Sequence, residues 1–239
     1  ITAHTGVRVQ SFKDGADSVT VTYLDSEGAT RELEVDYVMV ATGRKPATEG
    51  LGLENTSIET TDRGAIVVDE HLRTTVPNIF ALGDVNGGPQ FTYISLDDCR
   101  VVLSQLVGDG SRSTKDRKAV ASTIYMNPPL SSVGLTEREA IEAGHKVKVA
   151  SKPVAAVAAM PRAKTQENPR GIMKFVIDAQ TDQILGAQLL VIESMEVINL
   201  VALAMRHGIT ASQLRDEIYT HPSITEGLNE VLAAAVPVN

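Results

Sequence analysis

A single cysteine, Cys99, stands in a chain of 239 residues. One thiol excludes an internal disulfide framework and any zinc or iron–sulfur site held by several cysteines of this chain. Positive charge is also short: 22 Lys and Arg face 30 Asp and Glu, a net charge of −8. With no basic run and a pI near 5.2, the chain is a poor binder of nucleic acid or acidic lipid. No apolar stretch approaches the roughly 20 residues that span a bilayer, and no secretory signal is visible. The expected location is therefore the cytoplasm. An initiator Met is missing too: Ile1-Thr-Ala-His-Thr-Gly-Val-Arg-Val9 starts as though inside a sheet, which reads as a piece of a longer protein. What is present is ordinary for a soluble globular protein, 43% hydrophobic and 22% charged residues, with room for one large or two ordinary domains.

Residues 19–24 and 31–35 alternate at period two around Asp25-Ser26-Glu27-Gly28, a β-hairpin pattern. Residues 37–40 form a short run apolar on both faces, as in a central strand, and residues 64–68 and 78–82 are two further short strands. Over residues 95–106 the apolar spacing is helical, with Leu96, Cys99, Val102, Leu103 and Leu106 on one side. That spacing predicts Cys99 to be inert core. Residues 108–118 are polar and glycine-containing, the best linker in the sequence. Beyond it the pattern predicts strands over 123–126 and 146–149 and a hairpin of 173–177 with 184–190. Helices are predicted from Thr136, with Glu139 completing a capping box, and over 195–207, 211–218 and 222–234. Strands with helices on one face make this half an α+β layer.

Three constellations carry chemistry. Phe80-Ala-Leu-Gly-Asp84 delivers a carboxylate at a strand end, where ligands of open α/β sheets sit; alone, Gly-Asp is equally a turn with an Asp cap. Ala41-Thr-Gly43-Arg-Lys-Pro46 repeats the device about 40 residues earlier, and by itself it is a strand stop. Tyr219-Thr-His221-Pro-Ser-Ile-Thr-Glu226 puts a histidine just ahead of a helix with a glutamate in reach of one ring nitrogen. Such a pair fixes the imidazole tautomer and leaves the other nitrogen to move protons. The bland reading is a helix-start histidine beside an unrelated surface glutamate. His71, His145 and His207 are far apart, and only Glu142 has helical spacing to one of them, His145; no structural metal is assigned.

In this order and spacing the motifs resemble the C-terminal half of an FAD-dependent pyridine nucleotide–disulfide oxidoreductase, the group of glutathione reductase and dihydrolipoamide dehydrogenase. Val40-Ala-Thr-Gly-Arg-Lys-Pro46 is similar to the family's junction of nicotinamide and FAD domains, and Ile79-Phe-Ala-Leu-Gly-Asp84 to its second FAD motif. Ser132-Val-Gly-Leu-Thr-Glu137 and His221-Pro-Ser-Ile-Thr-Glu226 are similar to parts of its dimerisation domain. The runs from Gly87 to Asp98 and from Pro153 to Ala156 look most like the bacterial reactive-chlorine-resistance flavoprotein branch.

The resemblance implies α/β nucleotide-binding remnants followed by an α+β dimerisation domain with an antiparallel sheet. Residues 1–43 would end the NAD(P)-binding domain, 44–118 the FAD-binding domain, and 119–239 would be the interface domain of a homodimer. It implies that NAD(P)H reduces FAD, FAD reduces a cysteine pair, and the dithiol reduces a disulfide or metal-ion substrate. His221 and Glu226 would be catalytic; Gly43, Asp84, Gln90, Phe91, Thr92 and Tyr93 would bind cofactor. No Gly-x-Gly-x-x-Gly fingerprint and no paired cysteines occur in the chain, so those parts are expected upstream of Ile1. The chain alone is then expected to be inactive and not to retain FAD. A stand-alone dimerisation module without catalysis is the alternative. A ferredoxin-reductase-type flavoprotein shares the FAD signatures but should lack the His221 and Glu226 motif.

Overall fold

The computed structural model describes residues 1–238. The chain divides into two compact units, residues 1–69 with 73–97, and residues 70–72 with 98 onward.

The first unit holds an antiparallel three-stranded sheet in the order β1 (Arg8–Asp14), β2 (Val19–Leu24), β3 (Thr30–Val35). The hairpin arises from its turn. Asp25 Oδ1 accepts the N–H groups of Glu27 and Ala29, Oδ2 takes Arg31 Nε at 2.9 Å, and Gly28 supplies φ 83°. Val9 opposite Tyr23, and Val21 opposite both Phe12 and Leu33, gather apolar side chains on one face. Phe12 nevertheless remains 52% exposed.

Three expected strands of this unit do not form. Residues 37–40 pair with no strand among the described residues, and Tyr37 and Met39 are 92% and 91% exposed. The other two runs make only isolated bridges, Thr60 to Ile66 and Arg73 to Phe80. A central strand exists through ladders on both its edges, and pattern alone cannot supply the neighbours.

Helix α1 (Thr92–Val107) forms where expected but is turned differently. It buries Ile94, Asp98, Val101 and Val102, and leaves Leu96, Cys99, Leu103 and Leu106 exposed. Cys99 is therefore not core. The buried side is fixed partly by charge: Asp98, 1% exposed, is ion-paired with Arg117, so a polar residue occupies a position that periodicity awards to an apolar one.

The second unit is built on a six-stranded antiparallel sheet in the order β4-β5-β8-β7-β6-β9. Its strands are β4 (Ser122–Ile124), β5 (Leu130–Gly134), β6 (Val147–Pro153), β7 (Ile172–Asp178), β8 (Ile184–Leu190) and β9 (Val236–Pro237). One face carries the main core, where Met173, Phe175, Ile177 and Leu189 meet Val197, Ile198 and Val201 of α4 (Ser194–Arg206). Leu214 of α5 (Ala211–Asp216) and Leu228, Val231 and Leu232 of α6 (Gly227–Ala233) join the same core. The short α2 (Glu137–Glu142) covers Val147 and Val176 through Ala140 on the other face, and α3 (Arg162–Thr165) is one turn.

The Ser132 to Glu137 motif is a structural joint. A Cβ on Gly134 would lie 2.2 Å from the Leu185 carbonyl oxygen, and its φ is 69°. Thr136 then caps α2 in a reciprocal exchange with Glu139. Inside the core Ser131 Oγ lies 2.8 Å from both Thr123 Oγ1 and Ser194 Oγ, and Ser194 Oγ donates to the Pro129 carbonyl at 3.0 Å. That hydroxyl chain satisfies every buried oxygen it contains and ties the start of α4 to β4 and β5.

Candidate active site around His221 and Glu226

The segment leading out of α5 is held at several points. Tyr219 Oη donates to the Leu214 carbonyl at 2.6 Å, and Asn229 Nδ2 donates to the Glu217 carbonyl at 3.0 Å. Burial, with Glu217 adding repulsion, pushes the Tyr219 phenol up to about 12, so this neighbour of the histidine stays a neutral anchor near neutral pH. Ile224, 1% exposed, pins the following loop into the main core.

Helix α6 begins at Gly227 rather than at Pro222. Ser223 Oγ accepts the Glu226 N–H at 3.1 Å while Glu226 Oε1 accepts the Ser223 N–H at 2.9 Å. This reciprocal exchange makes residues 223–226 a closed turn ahead of the helix. Two i to i+3 bonds, Gly227 N–H to Ile224 and Leu228 N–H to Thr225, wind it more tightly than α-helix. Pro222 is therefore not a first-turn helix residue; the His221–Pro222 peptide bond is cis.

The second carboxylate oxygen, Glu226 Oε2, lies 2.8 Å from His221 Nδ1. The partners are unequal in environment: the Glu226 side chain is 12% exposed and that of His221 is 67% exposed. A nearly buried acceptor thus holds an outward-facing ring, and with Nδ1–H donated inward the neutral ring keeps its lone pair on Nε2. Ser223 was not singled out by sequence reasoning, although its spacing to Glu226 is that of a capping box and could have flagged it.

The cofactor candidates lie in the first unit. Asp84 lies in the 3-10 turn of Gly83–Asn86, and its Oδ2 accepts from Arg44 Nη1 at 3.4 Å. Gly43 has φ 98° and open space where a Cβ would stand. Arg44 and Gln90 line a cavity of about 430 Å³ together with Arg63, Asn86 and Gly87. Phe91 and Tyr93 stack at 5.0 Å between ring centroids. Thr92 opens α1, and the Phe91 N–H is already donated to the Pro89 carbonyl at 3.0 Å. The remaining histidine of interest, His145, pairs through Nδ1 with Asp178 at 3.0 Å and not with Glu142. Among the described residues no three His, Cys, Asp or Glu side chains are grouped to hold a metal ion, and no helix is long and apolar enough to cross a membrane.

The model for the pyridine nucleotide-disulphide oxidoreductase dimerisation domain matches residues 120–232, and the pyridine nucleotide-disulphide oxidoreductase model matches residues 1–98. The chain belongs to the pyridine nucleotide–disulphide oxidoreductase family. The pyridine nucleotide-disulfide oxidoreductase RclA of Escherichia coli is 50% identical over 84% of this chain and 45% of its own length. A mercuric reductase of Staphylococcus aureus is 35% identical over 94% of the chain and 40% of that protein. A solved structure of the HOCl-induced flavoprotein disulfide reductase RclA superposes with a TM-score of 0.86 at 47% identity, covering 95% of this chain and 50% of the other. The chain thus spans about half the length of the relatives it matches.

Members of the family are FAD- and NAD(P)H-dependent. The first unit suits part of such a cofactor. Asp84 is half-exposed and offers acceptor oxygens to ligand hydroxyls, with Arg44 already orienting it, and Gly43 admits close approach of a ligand. The Phe91 N–H, already donated to the Pro89 carbonyl, is committed elsewhere. Arg44, present in the family junction motif but not expected to touch Asp84, is the residue that sequence reasoning missed here.

Proposed function

We propose that this chain is the C-terminal part of a homodimeric flavoprotein oxidoreductase, and that His221 is its acid/base group with Glu226 orienting the ring. The observation that carries the reading is the 2.8 Å contact from His221 Nδ1 to the nearly buried Glu226 carboxylate. Residues 1–43 are read as the end of an NAD(P)-binding domain, 44–118 as the end of an FAD-binding domain and 119–239 as the dimerisation domain.

The chemistry supplied by bound FAD is passage of electrons from NAD(P)H to a cysteine pair. This chain's contribution is protonic. His221 Nε2 accepts the proton of a thiol, making the thiolate that attacks. Glu226 stabilises the imidazolium without itself taking the proton, and the ring returns the proton to the leaving sulfur. Ser223 N–H holds the second carboxylate oxygen, so the ring does not rotate between the two transfers. Asp84 would accept hydroxyl hydrogen bonds of the FAD ribityl chain, Gly43 would lie against the nicotinamide nucleotide, and Gln90 to Tyr93 would border the flavin. The reducible substrate is a disulfide or a metal ion, a choice suggested by the names of the relatives, disulfide reductase and mercuric reductase.

His221→Gln in the full-length protein is expected to lower NAD(P)H-driven turnover about 10²- to 10⁴-fold, the worth of a positioned proton donor and acceptor. The 239-residue chain alone should show no turnover. Unchanged kcat/KM in the variant would remove the acid/base assignment.

A further inference from the structure

Glu226 is set by the first turn of α6, and that turn is fastened from below. One helical turn on, at i+4 and hence on the same side, Glu230 accepts an ion pair from Lys152 at the end of β6. Its other oxygen, Oε2, accepts the N–H of Ala159 at 2.8 Å. Ala159 belongs to the segment between β6 and α3, where Val154, Val157 and Met160 are all fully buried. Met160 in turn sits under Gly227, the residue next to Glu226: a Cβ there would meet its sulfur at 2.8 Å. The buried 154–160 segment is thus joined to α6 twice, by packing at Gly227 and by hydrogen bonding at Glu230. Glu230 gives the joint its direction, since its carboxylate, lowered from the usual range by Lys152 and then by the Ala159 N–H, stays charged.

We propose that Glu230, through Lys152 and the Ala159–Met160 segment, is the positioning residue that holds α6 at the height where the Glu226 carboxylate meets His221 Nδ1. The proposal rests on the acid/base reading of that pair. Without the tie, α6 is free to shift along the buried segment, and the 2.8 Å contact to an exposed ring loosens before the core opens.

The test is ¹⁵N spectroscopy of the 239-residue chain with labelled histidine, the His221 signals being assigned by their loss in His221→Gln. The wild-type ring is expected in a single neutral tautomer, protonated on Nδ1. Glu230→Ala should move the two ring nitrogens toward the average of both tautomers. Glu230→Gln, which keeps an acceptor for the Ala159 N–H, should restore most of the wild-type pattern. Asp182→Asn, which removes a similar lysine tie to Lys148, should leave His221 unmoved. A folded Glu230→Ala chain with a wild-type His221 spectrum would overturn the proposal. Should Glu230→Ala fail to fold, Lys152→Met is read the same way, an unchanged spectrum again overturning it. A wild-type ring protonated on Nε2 would instead sink the acid/base reading and leave the mechanical tie untouched.

Discussion

In the first compact unit the buried apolar residues are few, Ala65, Ile66, Ala81 and Ile94, while Phe12, Leu33 and Met39 face solvent. In the second, Phe175, Met173, Leu189, Ile198 and Leu228 are all closed off in one continuous core. Both units have sheet-forming sequences, and the difference lies in what each strand needs. The strands of the second unit find every partner within about 120 residues and lay one face against α4 and α6. The three-stranded sheet of the first unit pairs locally but has an uncovered apolar face, and residues 37–40 find no ladder at all. Local hydrogen bonding makes a hairpin; only a second layer makes a core.

The largest test of this contrast is truncation inside each unit. Phe175→Ala is expected to cost the second unit about 3–5 kcal/mol in denaturant unfolding, whereas Phe12→Ala should shift that same transition by less than about 0.5 kcal/mol. A large effect of Phe12→Ala would mean that the two units unfold as one.

Acid sharpens the comparison next. In the second unit the Thr181 N–H and then His145 hold the Asp178 carboxyl well below the usual range. Against the upward push of burial, Lys148 and Ser212 hold Asp182 down to about 2. Both groups bind protons more weakly folded than unfolded, so their stabilisation is complete above about pH 4 and is lost as pH falls through the folded values. Thermal melts of the second unit from pH 5 to pH 2 should therefore fall steadily, and Asp182→Asn should flatten the slope. A slope unchanged by that substitution would remove Asp182 from the account.

The smallest effect concerns Cys99. Because it is exposed on α1, a thiol reagent should label it in the native chain without denaturant. Protection until unfolding would show that the outer side of α1 is covered in solution.

Where the sequence was readable, the reason was local. The Asp25 turn, the Thr136–Glu139 cap and the Gly208 stop are each decided within a few residues, and the structure has all three. The same holds for the proximity of His221 and Glu226, five residues apart. Failures came where distant chain decides. The burial of Asp98 depends on Arg117, which turned α1 and put Cys99 outside. The ties from Lys152 to Glu230 and from His145 to Asp178 join residues 78 and 33 positions apart, beyond any window of periodicity. The delayed start of α6 is the exception, since Ser223 and Glu226 stand at cap spacing only three residues apart.

The six-stranded sheet terminates on β4, of three residues, and β9, of two, the latter holding Pro237. Strands this brief offer a newcomer almost no free main-chain groups to extend the ladder. Lateral growth by strand addition is thereby disfavoured at both flanks, which guards a concentrated solution against fibre-like stacking.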